Sequence, residues 1–281
     1  MAIQSLQDIL VVSDIDNTLL SMAHGMPSVN RTTIELFCRM GGNFTLATGR
    51  TNESVRHHLG DLPLTAPAIT YGGAVIYDFQ HDLRIKNAVL PMGEAMRAVE
   101  DVMARFPGIG VEVMTADGHI YVVQSNEYTH RHTEYERLIY TLRPLQDIPP
   151  RWNKVLFACE PPLMPQLRHF VDGQRYEGVY FIATNAMYFE VMPAGVSKAS
   201  ALAELCGYMH IPMENTVVIG DYFNDIGMMQ AAGRAVAVGN APAEVRLAAG
   251  EVTAACDDGG VAQVLYGLLR RLGPAPARSA L

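Results

Sequence analysis

Two kinds of hydrophobic patterning divide this chain. From Ile9 to Thr70, short apolar runs alternate with stretches whose apolar residues recur at helical spacing. Ile9 to Ser13, Asn43 to Ala47 and Ala68 to Thr70 read as strands; Asn30 to Met40 and Glu53 to Leu59 read as helices, the first ended by Gly41-Gly42. After Pro193 the alternation returns. Helices are expected over Ser197 to Met209, Phe223 to Ala232, Pro242 to Ala248 and Gly260 to Leu272. Strands are expected over Thr216 to Ile219, Ala235 to Val238 and Glu251 to Thr253. Strands alternating with helices indicate a parallel sheet covered on both faces.

The middle of the chain reads differently. A helix from Pro91 to about Phe106 presents Ala95, Val99, Val102 and Met103 on one face. Val111 to Met114 and Ile120 to Gln124 flank Asp117-Gly118, a hairpin signal. A helix over Glu127 to Tyr140, a strand over Lys154 to Cys159 and a helix over Pro165 to Gln174 follow. A second hairpin, Val179 to Ala183 with Tyr188 to Val191, turns around Asn185. The fold class expected is therefore α/β: a Rossmann-like parallel-sheet core, residues 1–84 and 191–273, interrupted by an α+β cap domain at 85–190. The Pro- and Ala-rich stretch 274–281 reads as a disordered tail.

Composition narrows the partners. A net charge of −8 and a sequence pI near 5.6 argue against nucleic-acid backbones and anionic membranes as principal ligands. No apolar run approaches the ~18 residues of a membrane span. The first residues lack the basic-then-apolar pattern of a secretory leader, so a cytoplasmic protein is expected. Cys38, Cys159, Cys206 and Cys256 are too scattered for a zinc site and read as free thiols. No exposed apolar stripe stands out, which leaves a monomer or a weak homodimer.

Candidate chemistry gathers where strands end. Asp14 and Asp16 sit two apart at the end of a β-branched run, so their side chains share a face. Converging carboxylates repel, a cost offset by a cation or a raised pKa. Such a pair suits a magnesium site beside a carboxylate nucleophile. Thr48-Gly49-Arg50 follows the second strand, and Gly220-Asp221-Tyr222-Phe223-Asn224-Asp225 follows another. Lys198 opens a helix, where its charge opposes the helix dipole. In an open parallel sheet, ligands bind beyond these carboxyl ends.

The ordered set resembles the four motifs of the haloacid dehalogenase superfamily. Asp14-Ile15-Asp16-Asn17-Thr18-Leu19 matches the first, Thr48 the second, Lys198 the third, and Gly220-Asp221 with Asn224-Asp225 the fourth. The large insertion between the second and third resembles the Cof-type branch. The resemblance implies a Mg2+-dependent phosphatase acting on a small phosphorylated metabolite, a sugar phosphate being the expected class. In its terms Asp14 is the nucleophile that forms an aspartyl-phosphate, and Asp16 the general acid and base. Thr48, the Gly49 amide, Lys198 and Asn224 bind the phosphoryl group. Asp14, the Asp16 main-chain carbonyl and Asp221 hold the metal. Asp225 supports ligands or Lys198 from behind, and Arg50 braces the site. A phosphomutase or phosphotransferase on the same scaffold, and a non-catalytic phosphate sensor, are the alternatives.

Two departures from the family pattern stand out. Asn17 replaces a common glycine, a residue that tolerates left-handed backbone. Tyr71-Gly72-Gly73-Ala74 replaces Asn-Gly-Ala, which puts a tyrosine at the expected pocket wall. His57-His58 and His130-x-His132 lack ligand partners at metal spacing and read as solvated or helix-surface histidines. Met228-Met229 reads as core. Trp152, Asn153, Lys154 and Arg131 are kept as possible substrate readers from the insertion.

Overall fold

The computed structural model describes residues 3–273; the tail expected at 274–281 lies outside them. The chain opens with β1 (Leu10–Ser13), α1 (Ser28–Arg39), β2 (Asn43–Leu46), α2 (Asn52–Leu59) and β3 (Ala68–Thr70). A hairpin, β4 (Val75–Asp78) and β5 (Leu83–Asn87), leads to α3 (Met92–Arg105), β6 (Gly110–Thr115) and β7 (Ile120–Gln124). Then come α4 (Glu127–Tyr135), β8 (Thr141–Leu142), β9 (Trp152–Ala158), α5 (Met164–Asp172), β10 (Val179–Ala183) and β11 (Tyr188–Pro193). The chain closes with α6 (Lys198–Met209), β12 (Thr216–Gly220), α7 (Ile226–Ala231), β13 (Arg234–Ala237), α8 (Ala243–Ala249), β14 (Glu251–Val252) and α9 (Gly260–Leu272).

The first sheet is parallel throughout, in the order β14-β13-β12-β1-β2. β1 lies inside it, between β12 and β2, with all four residues buried, as a strand covered on both faces requires. Val11, Phe44 and Ile219 pack with Ile34, Phe37 and Leu265 on one side. Val12, Val218 and Ala237 pack with Leu202, Leu205, Met228 and Met229 on the other. The second sheet, β10-β11-β9-β6-β7-β8, is antiparallel except for the β7–β8 pair. One face is covered by α3 and α5 around Val99, Val102, Trp152, Phe157 and Leu167. The architecture is the expected one: a Rossmann-like parallel-sheet core carrying an α+β cap.

Three features depart from the sequence reading. First, β3 does not continue the parallel sheet. A single bridge, Ala47 to Ile69, joins it there, and it pairs antiparallel with β4 in a three-stranded sheet with β5. The hairpin carries no glycine signal. Its turn is held by the Asp78 carboxylate, which accepts from the amides of Gln80 and His81, and by Asp82 at φ 53°. Second, α4 stops at Tyr135 because Arg137 takes a left-handed φ of 53°. Third, the expected helix from Phe223 begins as a 3-10 turn, Phe223–Asp225.

The turn after β3 positions the start of α6. Gly73 has a φ of 107°, and a Cβ there would lie 2.2 Å from the carbonyl oxygen of Ser197. Only glycine allows that approach. Ser197 in turn caps α6 by accepting from the Ser200 amide, which leaves Lys198 as the first helical residue. Gly73→Ala should therefore destabilise the protein by about 2 kcal/mol or more, through combined backbone strain and overlap. Denaturant unfolding of the variant beside the parent checks this.

Candidate active site

Beyond the carboxyl ends of β1, β2 and β12 lies a cavity of about 200 Å³. From the core it is lined by Asp14, Asp16, Asn17, Thr48, Gly49, Arg50, Lys198, Asp221 and Asn224; from the cap, by residues of α4, β9, the β10–β11 turn and β11. The side chains singled out at the strand ends thus meet in one place, across as much as two hundred residues of sequence. Asp225 lies directly behind them, fully buried.

Lys198 is the hub. Its ammonium donates to Asp14 Oδ1 at 2.7 Å and to Asp225 Oδ1 at 2.7 Å. Burial alone would lower its pKa, but the two carboxylates prevail and hold it protonated, above its ordinary value. Asp225 has no oxygen to spare: Oδ2 accepts from the amides of Asp221 and Tyr222 at 3.0 and 3.2 Å. Gly220 makes room for this, since a Cβ there would lie 2.5 Å from that same oxygen. Asp221 Oδ1 accepts from the Thr18 hydroxyl at 2.8 Å.

These contacts leave one oxygen each on Asp14 and Asp221 without a hydrogen bond among the described residues. Carboxylate oxygens of Asp14, Asp221 and Asp225 lie within 4.8 Å of one another. Burial, then the neighbouring carboxylates, pushes the carboxyls of both Asp14 and Asp221 up. A cation would balance carboxylates gathered in this way. An all-oxygen donor set with few carboxylates suits a hard divalent ion that retains waters. Asn224 Oδ1 faces the cavity buried and without a partner. Such an atom costs free energy unless a ligand satisfies it. Asn17 adopts the left-handed φ of 57° that a glycine would otherwise supply.

Asp16 is held apart from this cluster. Its carboxylate takes the Arg50 fork, Nε at 2.9 Å and a terminal nitrogen at 2.7 Å, and accepts from the Tyr135 hydroxyl at 2.9 Å. Arg50 is itself buried and fixed by Ser54 at 2.8 Å and by His58 Nδ1 at 2.9 Å. His58 Nδ1 lies 2.9 Å from both that guanidinium, which can only donate, and the Ser54 carbonyl, which can only accept. Nε2 lies 3.0 Å from the Tyr135 carbonyl, and in that contact the imidazole is the donor.

The cap wall corrects several readings. His132 is not solvated: it is buried between Glu112 at 2.8 Å and Glu136 at 3.4 Å, its ring against Tyr188. Burial opposes its charge, but the two carboxylates overcome that and push its pKa to about 10. Burial likewise opposes the charge of Glu136, and His132 reverses this, bringing it down to about 2. His58 is also drawn into the site rather than left on a helix surface. Tyr71 does not line the cavity; it is buried with Val75, Met114 and Met192, its hydroxyl unpartnered. Arg131 reaches the cavity, but Trp152 is in the cap core, donating to the Pro149 carbonyl. Asn153 binds Asn87 and Ala88. Lys154 crosses from the cap to the Gly49 carbonyl at 2.9 Å while paired with Glu190 at 2.7 Å.

Sequence reasoning missed Tyr135, His58 and the Glu112–His132–Glu136 triad. The one available signal was spacing. His132 and Glu136 are four apart, and Tyr135 three from His132, so all face one side of α4.

A family model described as haloacid dehalogenase-like hydrolase matches residues 11–265. The pyridoxal phosphate phosphatase YbhA of Escherichia coli is 27% identical over 270 residues, covering 92% of this chain and 97% of its own. A haloacid dehalogenase-like hydrolase from Bacteroides thetaiotaomicron superposes with a TM-score of 0.83 at 22% identity, over 92% of this chain and 99% of its own. The sugar phosphatase BT4131, of haloacid dehalogenase subclass IIB, superposes with a TM-score of 0.81 at 22% identity, over 92% and 99%. These two likenesses bear on the fold. Among the described residues, no helix is long and apolar enough to cross a membrane.

The His132 triad gives the cap a pH signature. A histidine whose pKa rises on folding contributes stability that is complete below about pH 6.5 and is lost as pH climbs toward 10. Unfolding free energy measured from pH 6 to 10 should decline across that window. His132→Gln should flatten this limb and lower stability near neutral pH by about 3 kcal/mol, since Glu112 is left buried without its cation.

Proposed function

This chain belongs to the Cof-type branch of the haloacid dehalogenase-like hydrolases, and from that premise we propose that it is a Mg2+-dependent phosphatase acting on a small phosphate monoester. The observation that carries the reading is the meeting of Asp14 and Asp225 on one buried ammonium, with the Asp221 carboxylate alongside and Thr48 and Gly49 lining the same cavity.

In this reading a phosphoryl group enters with its oxygens toward the donors of the Thr48 hydroxyl, the Gly49 amide, the Lys198 ammonium and the Asn224 side-chain nitrogen. Asp14 attacks phosphorus; the Asp14–phosphorus bond forms as the bond to the alcohol oxygen breaks, and that oxygen takes a proton from Asp16. Water then attacks phosphorus, gives its proton to Asp16, and releases inorganic phosphate and free Asp14. Lys198 neutralises charge that Asp14 and the phosphoryl group would otherwise share, a contribution of about 3 kcal/mol in a closed site. The free oxygens of Asp14 and Asp221, with the Asp16 main-chain carbonyl, would hold Mg2+. The ion supplies charge neutralisation at the phosphoryl oxygens.

The division of labour follows the chain. Residues 1–84 and 191–273 carry the chemistry, and the cap at 85–190 closes the site and reads the alcohol. A cavity near 200 Å³ suits a compact metabolite. The relative from Escherichia coli is named for pyridoxal phosphate. A sugar phosphate remains the substrate class we favour here, because the acceptors Glu136 and Glu190 on the cap wall match a leaving group rich in hydroxyls.

Phosphate release across a panel of phosphorylated metabolites tests the assignment. Release should require a divalent ion, stop with chelator, return with Mg2+, and vanish in Asp14→Asn while cooperative unfolding is retained. Isomerised product in place of free phosphate would establish a mutase instead. Ligand binding without either product would establish a sensor.

A further inference from the structure

Of the four site aspartates, Asp16 alone is bonded from the cap. The core contributes the Arg50 fork, with Nε on Oδ2 and a terminal nitrogen on Oδ1. The cap contributes Tyr135, the last residue of α4, whose hydroxyl donates to Oδ1 at 2.9 Å. Two more contacts fix Tyr135 in place. Its ring centroid is 4.8 Å from the Arg50 guanidinium carbon, a cation–π distance, and its carbonyl accepts from His58 Nε2 at 3.0 Å. The mechanism above gives this residue no part, yet it meets three core side chains at once.

The arrangement divides the two oxygens of Asp16 unequally. Oδ1 accepts two hydrogen bonds and Oδ2 one. With two donors on Oδ1 and one on Oδ2, from core and cap together, the plane of the carboxylate is fixed and Oδ2 is its less encumbered edge. Withdrawal of the cap would carry away the tyrosine hydroxyl together with the ring over Arg50. The asymmetry would go with them.

We propose that Tyr135 is a positioning residue that couples closure of the cap to the orientation of the Asp16 carboxylate: its hydroxyl holds Oδ1 and so turns Oδ2 toward the departing alcohol. This inference rests on the acid–base role proposed for Asp16.

The test uses leaving groups that differ in their need for a proton. An alkoxide must be protonated as it departs, whereas p-nitrophenolate leaves without help. Tyr135→Phe removes the hydroxyl and keeps the ring. The measurement is kcat/KM with saturating Mg2+, for the best alkyl phosphate of the release panel and for p-nitrophenyl phosphate, in the parent, Tyr135→Phe and Asp16→Asn. Tyr135→Phe should lose about tenfold on the alkyl phosphate and less than about twofold on the aryl one, with an unchanged thermal midpoint. Asp16→Asn should discriminate in the same direction and more strongly. Equal losses on both substrates in Tyr135→Phe, with discrimination kept in Asp16→Asn, would overturn the coupling while leaving the acid in place. Equal losses in Asp16→Asn would overturn the acid role, and the coupling with it.

Discussion

Three buried carboxylates against one buried ammonium is the constraint on which the rest of this site turns. Asp14, Asp221 and Asp225 together bring three negative charges, and Lys198 returns one positive charge. The remainder, two negative charges in a region of low polarisability, is the charge of one divalent cation. Burial pushes the carboxyls of Asp14 and Asp221 up, which a cation beside them would oppose. The fold spends several of its special residues on holding this imbalance. Gly220 admits the Asp225 carboxylate, Gly73 admits the turn that starts α6, and Ser197 caps that helix so that Lys198 begins it. None of these residues does chemistry, but each sets where the ammonium lies.

The cap repeats the theme with balanced charges. Lys154 and Glu190 are buried together, and Lys154 also reaches the Gly49 carbonyl on the core side. His132 stands between two glutamates. Buried pairs of this kind add little net stability compared with apolar packing, and removing one partner is expensive. Their value is geometric. The Lys154 contact ties β9 to the Gly49 loop at the rim of the cavity. The triad holds α4 so that Tyr135 and Glu136 face the cavity.

Much of this was legible in the sequence, for identifiable reasons. Asp14, Asp16, Thr48, Lys198 and Asp221 sit at strand ends or at a helix start, so the local pattern alone placed them on one rim of the sheet. The strands of the first sheet could be read because each is a short apolar run between clear breaks. The hairpin at β4 and β5 could not, because an Asp78 side chain rather than a glycine makes its turn. His132 was misread for a different reason. One of its partners, Glu112, comes from another strand twenty residues away, and nothing in the spacing announces that contact. Tyr71 looked like a wall residue because it follows β3, but its side chain turns into the packing between core and cap.

The two halves of the site are assembled on different terms. Among the described residues, every hydrogen bond to the side chains of Asp14, Asp221 and Asp225 comes from the core, so this cluster is held without the cap. Asp16 is completed only by the cap. A fork from Arg50 alone fixes the carboxylate from one side. The Tyr135 hydroxyl, coming from the cap, adds a second donor to one oxygen and distinguishes it from the other. The tyrosine at the end of α4 can impose that distinction because the core fixes it from both sides: His58 binds its carbonyl, and the Arg50 guanidinium lies against its ring.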